Sequence, residues 1–471
     1  MSSTDLCFTP ATELAALIRA KKLSASQVVR AHLDQIERVN PTVNAIVTLT
    51  AEQAMADAQS ADRTLAATGP IGPLHGLPVA HKDLFVTKGV RTTFGSPIYK
   101  DFVPDVDALP VERLKKAGGI SVGKTNTPEF GAGSQTFNAV FGATKNPYDP
   151  TKTCGGSSGG GAVALACGMV AIADGTDLAG SLRNPANFCN VVGHRPSVGR
   201  VPNWPDQVGW YPFTVAGPMT RNVKDMALAM SVMAGPDDRS PIALELSGDL
   251  FNRPLARDFR GCTIAFSRTL GGLPVEPEVL QVMDAARPVL AQLGCKIVDA
   301  EPDLSEADNV FMLWRAWRTE LRISPLMEKH RSALKKTVIW NAEQGLPITG
   351  PQLARAEAKR TELYHRMREF MSRHEFLVLP VNQVAPFPVD QEYPTQINGV
   401  AMKTYIDWQK TCYHITTVGN PAISVPAGFT STGLPVGLQI VGRHRDDFGV
   451  LQLAHAFESR TQHGRIRPPI S

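Results

Sequence analysis

Residues 152–185, KTCGGSSGGGAVALACGMVAIADGTDLAGSLRNP, hold the densest set of groups able to do chemistry in this 471-residue chain. A Gly/Ser run leads into an apolar run, then into a second Gly/Ser cluster carrying Asp177 and Arg183. A flexible linker of this composition sits among other polar, disordered sequence. Here the turn-rich FGATKNPYDP (141–150) precedes the run and AVALACGMVAIA follows it, so both ends are tied down. Glycines held in this way let the backbone approach closely, and their amides can bind a phosphate or a developing oxyanion. No phosphate-loop lysine follows the run, which favours the oxyanion.

Acyl chemistry also needs a base, and Lys82 stands out at the end of the apolar, strand-like LPVAHKDLF (77–85). Burial there disfavours the ammonium, lowers the pKa and leaves a neutral amine. Ser–Lys pairs are a known substitute for Ser–His. The plainer alternative, a buried Lys82 paired with Asp83 or Asp177, stays open at this stage. Two other patterns fail. GGISVGKT (118–125) fits G-x-x-x-x-G-K-[ST], but that mechanism needs a strand before the loop and a helix opening at Lys-Thr. The preceding segment reads as helix and Pro128 follows Thr125 closely, so Lys124 is expected to be a surface loop lysine after a strand. The histidines show no metal-ligand spacing, and His365 and His374 read as solvated helix residues.

The elements that must position these groups alternate between helix and strand. Ser24–Val39 reads as a helix opened by a Ser24/Gln27 capping box and stopped at Asn40-Pro41. Residues 111–119 end a helix, 120–123 form a short strand, and Glu278–Leu293 is helical. Residues 295–300, 375–381, 422–427 and 436–442 read as strands. This alternation favours an α/β layered fold. Residues 301–371 are richer in helix and charge, and a helix-rich substrate cover is expected within 240–371.

Composition excludes several classes. Hydrophobic residues at 43% and charged residues at 20% describe a globular chain with a sizeable core. A net charge of +4 gives no basic patch for nucleic acid. The apolar stretch Ala162–Ala173 is shorter than the roughly 18 residues of a membrane span, and Met1–Pro10 has no basic n-region. Seven scattered cysteines without a CxxC suggest neither a disulfide framework nor a zinc site. A cytoplasmic protein is expected.

Five blocks resemble the amidase signature family in the right order. GLPVAHKDLF is similar to its lysine strand, CGGSSGGGAVALACG to its Gly/Ser motif, and GTDLAGSLRNPANFC to its nucleophile loop. GPMTR (217–221) and GNPAISVPAGF…GLPVGLQIVGR (419–443) are similar to its downstream blocks. The resemblance implies one α/β/α domain over 1–471 with a mixed central sheet, acting on a small-molecule amide or carbamate without metal or organic cofactor. It leaves room for a homodimer, while charge and hydropathy lead us to expect no nucleic-acid or membrane partner. By the same resemblance Ser181 attacks the carbonyl, Ser157 relays the proton after a cis peptide bond, and Lys82 accepts it. Amides from Leu178, Ala179, Gly180 and Ser181 form the oxyanion hole, with Ser158, Asp177 and Arg183 in support. Asp177 as a helix or turn cap and Arg183 as a buried salt-bridge partner are the plainer readings of those two.

The chain also departs from the family pattern. Ala179 replaces a frequent Gly and Leu178 is bulkier than usual. His81 beside the lysine is uncommon, and should point away from it on a strand. GHRPS (193–197) replaces a Leu-Lys pair. Trp204, Trp210, Tyr211 and Phe213 cluster after the nucleophile loop, with Met312, Trp314, Trp317 and Trp408 later. An apolar pocket built from Trp204, Trp210, Tyr211, Phe213, Trp314 and Trp317 is expected to favour bulky apolar or aryl amides, anilides or carbamates. A glutaminase-type component of a tRNA-dependent amidotransferase and a catalytically inactive binding protein are the competing functions.

Overall fold

Every strand that carries a candidate residue lies in one mixed sheet of eleven strands. The computed structural model describes residues 3–471. In chain order the strands are β1 (Ile46–Leu49), β2 (Pro78–Lys82), β3 (Ile120–Thr125), β4 (Phe137–Asn138), β5 (Gly142–Ala143), β6 (Ile172–Asp177), β7 (Val192–Arg195) and β8 (Val215–Thr220). Then follow β9 (Thr263–Phe266), β10 (Lys296–Asp299), β11 (Phe376–Pro380), β12 (Gln396–Ile397), β13 (Val400–Ala401), β14 (Ala422–Phe429) and β15 (Pro435–Val441). The sheet order is β1-β3-β2-β6-β8-β7-β14-β15-β11-β9-β10; β4-β5 and β12-β13 are separate two-stranded ribbons. Parallel pairs β3-β2-β6 and β11-β9-β10 flank an antiparallel centre.

The strands are apolar on both faces because helices cover both. Phe376 and Val378 of β11 join one apolar core, whereas Leu377 and Leu379 join another on the opposite face. Val79 and Ala80 of β2 divide in the same way. This two-residue alternation is what a pleated strand buried on both sides produces. The result is the single α/β domain with a mixed central sheet that the sequence led us to expect.

Local chemistry explains where the elements begin and where our expectations needed revision. Ser24 Oγ accepts from the Gln27 amide at 3.0 Å and Gln27 Oε1 accepts from the Ser24 amide at 2.9 Å, closing the expected capping box. The helix does not stop at Asn40-Pro41 but runs over Ala25–Val43. Pro41 falls in the last turn, and Asn40 Oδ1 takes the amides of Ala45 and Ile46, each at 2.8 Å. Lys124 is not a surface loop residue. It lies inside β3, fully buried, donating to Thr87 Oγ1 at 2.7 Å and to the Phe85 carbonyl. Burial pushes its pKa down to about 8. No helix opens at Lys124-Thr125, so the phosphate-loop pattern has no phosphate-loop structure.

Segment 240–371 divides in two. Its first part supplies β9 and β10 to the sheet edge, and helices Ala307–His330, Lys336–Glu343 and Gly350–Arg373 follow. No helix among the described residues is long and apolar enough to cross a membrane.

The Gly/Ser run opens the buried helix Gly159–Ala166. A Cβ on Gly160 would stand 2.3 Å from the Asn126 amide nitrogen and 2.8 Å from the Ala45 carbonyl oxygen. Backbone cannot yield as a flexible side chain does, so the glycine is required by close approach. Gly160→Ala should therefore lower the thermal unfolding midpoint and cost about 1–3 kcal/mol by overpacking, measured by denaturant or thermal melts against wild type. An unchanged midpoint would mean that the helix start can shift.

Candidate active site

Strand β2 ends with Lys82 pointing into a nest of hydroxyls. Lys82 Nζ is 2.7 Å from Ser157 Oγ, 2.8 Å from Ser158 Oγ and 3.0 Å from Thr176 Oγ1. Lys82 is fully buried and Ser157 nearly so. Burial pushes the lysine pKa down to about 7, against the attraction of Asp177 and Asp174. The alternative of a carboxylate-paired lysine does not hold. Asp83 accepts from Thr93 Oγ1 at 2.5 Å, and Asp177 is taken up by arginines. Neutral lysine has two N–H donors and one lone pair. The Ser158 hydroxyl donates to the Thr176 carbonyl at 3.4 Å, which leaves its oxygen free to accept from Lys82. With Thr176 accepting the second N–H, the lone pair is left for the Ser157 proton.

His81 points to the other face, as strand alternation requires. Its Nδ1 is 2.6 Å from Asp174 Oδ2, while Asp174 Oδ1 accepts the Lys82 amide at 2.7 Å. Asp174 therefore fixes the β2 backbone at the lysine without touching its amine.

Ser181 follows β6 in the turn between Asp177 and the helix Arg183–Phe188, and is partly exposed. The Ser158 amide donates to the Ser181 carbonyl at 3.2 Å, so the two serine-bearing loops lie side by side. The Gly156–Ser157 peptide bond is cis. Asp177 organises the Ser181 turn. It accepts from the Gly180 amide at 3.0 Å and the Leu182 amide at 3.2 Å, and from Arg183 through Nε at 3.0 Å and Nη2 at 2.9 Å. Turn cap and salt bridge are thus combined in one side chain. Arg195 of β7 adds a second guanidinium, with Nη1 2.7 Å from the Asp177 carbonyl oxygen and 3.2 Å from Oδ1. Burial opposes ionisation of Asp177, but Arg183 and Arg195 hold its pKa well below the usual carboxylate range.

The turn's amides divide accordingly. Gly180, expected among the oxyanion donors, already serves Asp177, whereas Leu178, Ala179 and Ser181 have no acceptor for their amides among the described residues. Gly180, not Ala179, carries the positive φ, at 109°. A Cβ on Gly180 would meet Cys412 Cβ at 2.6 Å. Sequence reasoning missed Thr176, Arg195, Cys412 and Gln439, whose Oε1 accepts from Arg183 at 2.6 Å. Thr176 and Arg195 left a trace in the sequence, the first inside the nucleophile-loop block GTDLAGSLRNPANFC and the second inside the unusual GHRPS.

The aromatic set is only partly united. Tyr211, Phe213, Trp314 and Trp317 pack together at centroid distances of 5.5–6.5 Å, in the same apolar cluster as Ala179. Leu178 packs on that cluster. Trp204 does not join it and instead lies under the Arg239 guanidinium at 5.3 Å. Trp210 is 73% exposed. Neither side chain belongs to the cluster.

The amidase family model matches residues 27–451. The chain belongs to the amidase signature family, and it is a hydrolase acting on carbon–nitrogen bonds other than peptide bonds. It is 36% identical over 463 residues to the acylamidase of Rhodococcus erythropolis, covering 98% of this chain and 97% of that one. It is 31% identical to one of the subunits of glutamyl-tRNA(Gln) amidotransferase from Dehalococcoides mccartyi (strain CBDB1), over 97% and 98% of the two chains. Among solved structures, a bacterial aryl acylamidase of the same family superposes with a TM-score of 0.92 at 30% identity, over 98% of each chain.

Asp177→Asn would leave two buried guanidiniums facing a neutral amide. Breaking a buried ion pair from one side costs about 3–5 kcal/mol. Denaturant unfolding of this variant should show a loss of that order, and wild-type stability would contradict the assignment of Asp177 as the electrostatic centre of the turn.

Proposed function

We propose that the chain hydrolyses amides through Ser181, Ser157 and Lys82 by way of an acyl-enzyme. The observation that carries this reading is the neutral-leaning, carboxylate-free Lys82 amine at 2.7 Å from Ser157 Oγ. Ser181 Oγ attacks the carbonyl carbon while its proton passes to Ser157 and the Ser157 proton passes to Lys82. The oxyanion is held by free amides of the 178–181 turn. The C–N bond then breaks, and the amine leaves with the proton returned from Lys82 through Ser157. Water cleaves the ester in a second round of the same transfers. Ser158 and Thr176 orient the lysine, and Asp177 with Arg183 holds the turn.

The substrates we propose are bulky apolar or aryl amides, anilides and carbamates. The aromatic cluster against Ala179 supports this, as does similarity to an acylamidase and an aryl acylamidase. We place the enzyme in the cytoplasm, where seven buried, unpaired thiols stay reduced. Turnover by the purified chain alone separates this reading from an amidotransferase component that needs its partners.

Three outcomes follow. Ser181→Ala should abolish turnover with circular dichroism unchanged; a tenth of wild-type kcat would overturn the nucleophile. Since the neutral amine is the active form, kcat/KM should fall as pH drops through about 7 in the free enzyme, and a flat profile from pH 6 to 9 would contradict the base. Along an aryl and chain-length series, each buried CH₂ should add up to about 0.8 kcal/mol. Acetamide turned over as efficiently as the best aryl amide would remove the apolar pocket.

A further inference from the structure

The helix Ala307–His330 carries Arg315, Arg318 and Arg322 at positions i, i+3 and i+7, which share one helical face. That face turns toward the aromatic cluster. The Arg318 guanidinium lies 4.6 Å from the Tyr211 ring centroid, and its charge is met by Asp206 at 2.9 Å. Arg315 is different. It is 4% exposed and has no carboxylate partner among the described residues; Nη1 donates to Tyr405 Oη at 2.7 Å, while Nε and Nη2 have no acceptor there. Arg318 Nε and the indole Nε1 of Trp314 are buried without an acceptor as well. Arg322 makes no hydrogen bond or ion pair among the described residues. Its side chain is exposed to solvent.

Tyr405 and the aromatic cluster link this helix to the proposed active site. The Tyr405 carbonyl accepts from Ser134 Oγ at 2.9 Å. The Ser134 carbonyl accepts from Asn184 Nδ2 at 2.9 Å, and the same nitrogen donates to the Gly156 carbonyl at 2.8 Å, next to Ser157. Trp314 touches both Tyr211 and Phe213, in the cluster that includes Ala179. A buried guanidinium without an anion is costly, and so is a buried donor without an acceptor. Unpaired groups on this face are all donors, so a negatively charged group with several oxygens would satisfy them together.

We infer that the substrate cleft recognises an anionic group, a carboxylate, at the far end of an aryl amide, and that Arg315 and Arg322 are the residues that read it. The inference rests on the proposed amide hydrolase and narrows its substrate class from apolar aryl amides to aryl amides that bear a carboxylate. In this reading the ring lies against Trp314 and Trp317, the half-buried members of the aromatic cluster, and the charge lies beyond it.

The test is a binding measurement on Ser181→Ala protein, so that turnover does not intrude. Two near-isosteric pairs are titrated calorimetrically at pH 8: 4-carbamoylbenzoate against 4-carbamoylbenzamide, and 4-acetamidobenzoate against 4-acetamidobenzamide. At that pH the Lys82 amine is largely neutral and contributes little to a preference for anions. The carboxylate should bind about tenfold or more tightly than the amide in at least one pair. Adding Arg322→Gln or Arg315→Gln should bring the ratio toward one, while Arg322→Lys should keep part of it. If Arg315→Gln does not fold, the solvent-open Arg322→Gln carries the result. Equal or weaker binding of the carboxylate in both pairs would overturn the inference, and so would a preference that neither glutamine variant moves. Failure of the catalytic reading is separate: it would show as turnover by Ser181→Ala itself.

Discussion

A primary amine buried among hydroxyls, with no carboxylate against it, is the constraint on which the rest of this site depends. Ammonium is the favoured form of lysine in water by several pKa units near neutrality, and burial reverses much of that preference. The reversal survives only if nearby carboxylates are engaged elsewhere. Asp177 and Asp174 both pull Lys82 toward its charged form. Arg183 and Arg195 take the first, and His81 with the Lys82 amide takes the second. The two guanidiniums are therefore tied to the buried lysine as much as to the turn: they keep the Asp177 charge from being answered by Lys82.

The sheet order makes these pairings available. β2 and β6 are parallel neighbours, so Lys82 meets Asp174 and Thr176 at the same end of the sheet where the Ser181 turn begins. β7 brings Arg195 from the far side of β8, and β15 brings Gln439 from further still. Helix Gly159–Ala166 places Ser157 and Ser158 at its start, and Gly160 lets that start press against Asn126. The site is thus a junction of four strands and two glycine-dependent turns, and the helix Ala307–His330 adds Trp314 to the apolar cluster that includes Ala179.

What could be read from the sequence follows from how local each feature is. The Ser24/Gln27 cap and the strand ending at Lys82 each lie within a few residues, so residue type and spacing sufficed, whereas Asp177 and Arg183 were singled out by the family resemblance and not as a pair. Meetings across the sheet were not legible in the same way. Arg195 was seen as a departure, but its partner Asp177 is 18 residues away and reached only because β7 and β6 both flank β8. Lys124 was misplaced because a lysine in a Gly-rich pattern reads as loop, whereas its ammonium finds the Phe85 carbonyl and Thr87 inside the fold. Four aromatics in one loop looked like one pocket. Tyr211 and Phe213, just before β8, turn inward to the core, while Trp204 lies against Arg239 and Trp210 faces solvent.

A fold that stores a neutral lysine should reveal it spectroscopically, independently of any substrate. Lysine labelled with ¹³C at Cε and ¹⁵N at Nζ reports protonation directly by NMR. The Lys82 signal is assigned by its loss in Lys82→Met and distinguished from Lys124, whose pKa burial also lowers, to about 8. The account predicts that the Lys82 amine titrates near 7 in the folded protein. Titration near 10, as for a solvated lysine, would contradict it.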